Sequence, residues 1–88
     1  MKFIVDWKEV ERVRKKIDEV PKKKGVADAL NNTYNTLYIA LMVLESPEKF
    51  SKLTGVVDWA VNEVNGAKGR LYRLGGISTN SFWNIKYE

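Results

Sequence analysis

The chain contains neither cysteine nor histidine. The first absence removes disulfide staples, thiolate metal ligands and thiol nucleophiles together. The second removes the usual general base and the commonest transition-metal ligand. Metal binding would fall to carboxylates, which suit Mg²⁺ or Ca²⁺, yet no stretch carries the alternating acidic spacing of a calcium loop. Phosphate-wrapping glycine loops are missing too: Gly66-Ala67-Lys68-Gly69 lacks the spacing of a P-loop or dinucleotide fingerprint, and no nucleophile elbow occurs. No metal, no cofactor and no enzymatic activity are expected. Carboxylate pairs such as Asp18 with Glu19 or Glu45 with Glu48 stand beside turns and helix caps, where a structural role accounts for them. The longest apolar run, residues 37–44, is eight residues, against roughly 20 for a membrane span. Residues 1–6 lack the charged and apolar regions of a signal peptide, so the expected location is cytoplasmic.

What is present suits one globular domain over residues 1–88. A chain of 88 residues with 44% hydrophobic and 30% charged residues can bury enough apolar surface to offset its ordering entropy around a single thin core. Asp6 followed by Glu9 is a capping-box signature, with Val5 and Val10 placed as a hydrophobic staple. Trp7, Val10, Val13, Ile17 and Val20 then form a helical stripe that ends at Pro21. The alternation over residues 2–5 fits a short N-terminal strand. After the basic turn Lys22-Lys23-Lys24-Gly25, a second helix is expected over residues 26–45, its core stripe being Leu30, Tyr34, Leu37, Leu41 and Leu44. Ile39, Met42 and Val43 widen that stripe toward the C-terminal half, which should therefore be covered on more than one side.

Residues 56–64 support two readings. As a helix, Phe50, Leu53, Val57, Val61 and Val64 keep three- and four-residue spacing, with Asn65-Gly66 as the C-cap. As a strand, Val57, Trp59 and Val61 alternate, and Asn65-Gly66 becomes a hairpin turn. The longer helical stripe favours the helix; the β-branched residues and Trp59 favour the strand. Residues 70–74 and 82–87 are expected to form a C-terminal hairpin across a Gly75–Asn80 loop. The fold class is thus mainly α with a small β element: two to three amphipathic helices packed with that hairpin.

Charge is unevenly distributed. Residues 1–24 hold nine Lys or Arg against five Asp or Glu; residues 25–65 hold two against five; residues 66–88 hold four against one. With catalytic chemistry poorly provided for, the expected function is non-enzymatic protein–protein contact, as in small inhibitors, immunity proteins and adaptors, and the size suits a phage or mobile-element product. Arg70, Tyr72, Arg73, Phe82 and Trp83 are the candidate partner-binding residues, because Trp, Tyr and Arg anchor interfaces. The alternative is nucleic-acid binding through one positive face made of Arg12, Arg14, Lys15, Lys16, Lys22, Lys23, Lys24, Lys68, Arg70 and Arg73, with aromatic rings nearby to stack on bases. Finally, Val43-Leu44-Glu45-Ser46-Pro47 leaving the second helix and Leu71-Tyr72-Arg73-Leu74 in a late strand resemble short stretches of RelE-type toxins. Those are small basic RNases ordered as a strand, two helices and three strands. The resemblance implies strands over residues 56–64 and phosphate-binding or acid–base roles for Lys68, Arg70, Arg73 and Tyr87.

Overall fold

Asp6 ends a strand and starts a helix. In the computed structural model, which describes residues 2–87, β1 (Lys2–Val5) leads into α1 (Trp7–Glu19), then α2 (Val26–Glu45), a single 3₁₀ turn at Pro47–Phe50, α3 (Val56–Gly75) and β2 (Trp83–Lys86). Asp6 Oδ1 accepts the N–H groups of Lys8 and Glu9 at 3.1 and 3.2 Å, satisfying two of the donors that a helix start leaves open. Val10, Val13 and Ile17 of α1 are buried, as the stripe required. α2 buries Leu30, Leu37, Leu41 and Leu44 together with Ala40 and Val43. It is the central helix, packed along α3 and also against α1 and β1.

Three expectations need correction. Residues 70–74 are not a strand: α3 runs unbroken through Asn65-Gly66 to Gly75, so that pair neither caps a helix nor turns a hairpin. The buried stripe of α3 is Ala60, Val64, Ala67 and Leu71, while Leu53, assigned to the helical stripe, lies before the helix and is 60% exposed. Two alanines in that stripe let α3 approach α2 closely, a small-residue signal that apolar periodicity underweights. Second, β2 pairs antiparallel with β1, Val5 opposite Trp83 and Lys2 opposite Lys86, so the sheet joins the two ends of the described chain. Third, the strands that the RelE resemblance required over residues 56–64 are helix. The α-rich, α+β class itself stands.

The segment between α3 and β2 carries the least expected feature. Gly76, at φ 63°, takes the left-handed conformation open to glycine and turns the chain back, so that Ile77 N–H reaches the Leu71 carbonyl at 3.2 Å. Residues 77–82 then run antiparallel to α1 as a strap: Arg12 Nη2 donates to the Ser78 carbonyl at 2.8 Å, Asn80 N–H to Glu9 Oε2 at 2.7 Å, and Asp6 N–H to the Phe82 carbonyl at 2.8 Å. Ile77 and Phe82 plug into the core at its two ends. Glu9 was expected to reach back to Asp6 N–H as a capping box does. Instead Phe82 takes that donor, and the buried Glu9 carboxylate receives Arg12 Nε and Nη2 at 2.8 and 2.6 Å and the Asn80 side-chain amide at 3.3 Å.

The Arg12 hydrogen bonds, reinforced by Asn80, outweigh desolvation and hold the Glu9 carboxyl at about 2, below its ordinary 4.5. A depressed carboxyl contributes stability that is complete above the unfolded value and is lost as pH falls through the folded one. Glu9→Gln should therefore cost about 1–3 kcal/mol at neutral pH and flatten the fall in stability between pH 5 and 2 in urea titrations. Gly69 sits inside α3 with ordinary helical φ, and a methyl there meets only Arg73 Nη1 at 3.7 Å. Gly69→Ala should accordingly stabilise by about 0.5–1 kcal/mol, read as a rise in Tm.

Candidate interaction surface

The strap covers one side of the helices and leaves part of α2 open. Tyr38, Ile39 and Met42 stand 42, 54 and 46% exposed, and their i, i+1, i+4 spacing puts them on adjoining positions of one helical face. A neighbouring ladder of side chains stiffens this face. Trp7 Nε1 donates to Glu45 Oε2 at 2.6 Å, and its ring lies tilted against Tyr38 with centroids 5.0 Å apart. Tyr38 adjoins Tyr34 at 6.1 Å, and the Arg14 guanidinium lies 5.2 Å over the Tyr34 ring. Arg14 is fixed in turn by Asp18 Oδ1 at 2.6 Å and Asn31 Oδ1 at 3.1 Å. Burial pushes the Tyr34 phenol up, and the Arg14 hydrogen bond holds the Asp18 carboxyl down. Rings held by such bonds lose little rotamer freedom when a partner settles on them. An apolar cluster rimmed by Asn35 and Glu45 is the composition of a contact patch.

The residues proposed from sequence for partner binding do not come together. Phe82 is buried at 1% exposure and belongs to the core, a correction with a simple cause: the strap needs an apolar plug beside Asp6. Trp83 lies on β2, half-buried edge-on against Phe3 at 5.6 Å. Tyr72 and Arg73 are exposed on the last turns of α3. The sheet sits at the other end, since Val57 at the start of α3 lines the same cleft as β1, roughly 22 Å along the helix from Tyr72. Arg70 is half-buried and 3.9 Å from Glu63. With Ala29, Asn32, Thr33, Thr36 and Leu74, it lines a shallow groove between α3 and α2.

The basic residues divide into two groups. Arg12 and Arg14 are held in ion pairs with Glu9 and Asp18, and Lys16 lies 3.6 Å from Glu19. Lys15 is exposed on α1, and Lys68 is half-buried on α3. Exposed Lys22, Lys23 and Lys24 precede α2, whose start meets the end of α3 through Leu30 and Gly75. They thus occupy the end of the molecule that also carries Arg70, Tyr72 and Arg73. Tyr87, one of the four residues to which the RelE resemblance gave a phosphate-binding or acid–base role, is exposed beyond β2.

Sequence reading missed Tyr38, Trp7 and Glu45 as a surface. The available signal was Ile39 and Met42 widening an already full stripe: Val43 found cover in the core, whereas Ile39 and Met42 did not. Among the described residues, no helix is long and apolar enough to cross a membrane, and no three acidic side chains gather as a metal site. No protein-family model, curated protein or solved structure matches the chain. Removing the indole N–H by Trp7→Phe should free Glu45, loosen the ladder and speed ring flipping of Tyr38, measurable by NMR line shapes, while costing no more than about 1 kcal/mol of stability.

Proposed function

We propose that this is a non-enzymatic binding protein that acts by occupying a protein partner, as small inhibitors, immunity proteins and adaptors do, with α2 as its contact helix. The carrying observation is the uncovered Tyr38–Ile39–Met42 face, braced by the Trp7–Glu45 hydrogen bond. Three large apolar side chains on one helix face are poor at holding water and well suited to a helix-sized groove or flat apolar patch on a partner. On this reading the anchoring residues lie on α2, and Tyr72 and Arg73 lie outside them. The test is capture of a partner from host lysate with and without nuclease, by wild type and Ile39→Asp. Capture should survive nuclease and fall about a hundredfold with the substitution. Because Ile39 is exposed, stability should stay within about 0.5 kcal/mol. Capture that ignores Ile39→Asp removes the assignment to α2.

A second reading, nucleic-acid binding, draws support from the basic end, where Lys22 to Lys24 share one pole with Arg70 and Arg73, and Tyr72 is 64% exposed. Cations there would track phosphates while the ring stacks on a base. It predicts oligonucleotide retention that falls steeply with salt, with a slope reduced by Lys23→Gln and Arg73→Gln. A salt-insensitive interaction, or none, dismisses it.

A further inference from the structure

Among the described residues, β1 is paired on one edge only. Asp6 N–H donates to the Phe82 carbonyl, and Val5 stands opposite Trp83. The backbone groups of Lys2, Ile4 and Asp6 therefore point toward β2. By the alternation of an antiparallel ladder, the N–H and C=O groups of Phe3 and Val5 point the other way. They face a half-open cleft of about 820 Å³, walled by Leu44 and Glu45 in the last turn of α2, by Ser46, Pro47 and Glu48 beyond it, and by Val57 of α3. A row of unpaired backbone groups facing an open cleft is a template for another strand.

We propose that β1 of a second copy of this chain occupies that edge, antiparallel about a two-fold axis through Ile4. Three features coincide in this register. Phe3 of each copy falls opposite Val5 of the other, so all outward N–H and C=O groups of both residues pair. A shift of one residue in either direction breaks the hydrogen-bonding parity, and a shift of two leaves one of the residues without its mate. Ile4, 47% exposed on the outer face of the sheet, meets its own copy as a close, non-hydrogen-bonded apolar pair. Lys2 falls opposite Asp6 on that same face, and Asp6 caps α1 through Oδ1 alone, leaving its other oxygen for the lysine. The product is a four-stranded sheet in the order β2-β1-β1-β2, extending a two-stranded ribbon of the kind that is marginal alone. Its interface is isologous, as a closed dimer requires. This inference is independent of the α2 face.

Sedimentation of the intact chain over a concentration series should show a reversible dimer. Ile4→Lys, a surface change that sets like charges face to face, should weaken it about tenfold or more with the far-UV circular dichroism unchanged. Lys2→Asp should weaken it too and reverse its dependence on salt. In wild type, hydrogen exchange at the Phe3 and Val5 amides should slow as concentration rises, while the Ile4 amide, already bonded to β2, should not respond. A chain that stays monomeric throughout overturns the proposal, as does a dimer indifferent to Ile4→Lys. Protection of those two amides only when a foreign extended peptide is added assigns the edge to another occupant and overturns it equally.

Discussion

One buried carboxylate organises this molecule. Glu9 accepts two hydrogen bonds from Arg12 and two from Asn80, and Arg12 also reaches the Ser78 carbonyl. A charge placed there without partners would be expensive, so Glu9 forces whatever lies over α1 to supply donors. The strap supplies them, and in doing so fixes the path of residues 77–82 along α1. That path delivers Phe82 to the core and β2 to the side of β1. Hydrophobic packing between α2 and α3 would form a helical pair without Glu9. The closing of the sheet around the chain's two ends would not follow from packing alone.

The same commitment shapes the surface. α2 must be shared among α3, α1 and β1, and the strap is drawn to the α1 side by its hydrogen bonds. The C-terminal half of α2 is apolar over a wider arc than these elements cover, and Tyr38, Ile39 and Met42 are what is left over. Trp7 comes close to covering them, but its indole is held by Glu45 beside Tyr38 instead of over Ile39. Within that patch Tyr38 packs against Trp7 and Tyr34, and a ring held in this way has part of its ordering cost already met before a partner arrives.

Local signals in the sequence are legible where they agree with the core. Asp6, the stripe through Val10, Val13 and Ile17, and the full span of α2 could all be read from residue order, because capping and helical periodicity are short-range. Misreadings arise where a short-range signal competes with a distant partner. Asn65-Gly66 is a strong turn pair in isolation, yet Val64, Ala67 and Leu71 bury against α2, and the helix carries the glycine through. Glu9 has the spacing of a capping box, but its partner Asn80 lies 71 positions away, beyond any pattern. Sequential proximity suggested a C-terminal hairpin, whereas the strand that β2 pairs with is the first element of the chain. The uncovered face of α2 was hidden for a related reason: periodicity marks which residues are apolar, and only the packed structure tells which of them lack cover.

The path of the strap depends most heavily on Glu9 being ionised within its ring of donors. A carbon-13 NMR titration of the Glu9 side-chain carboxyl, followed together with the Asn80 backbone amide proton, addresses this directly. Both signals should move together with a midpoint near pH 2, matching the depressed carboxyl. A midpoint near the ordinary 4.5, with Asn80 indifferent to it, would mean that the strap is held by something else.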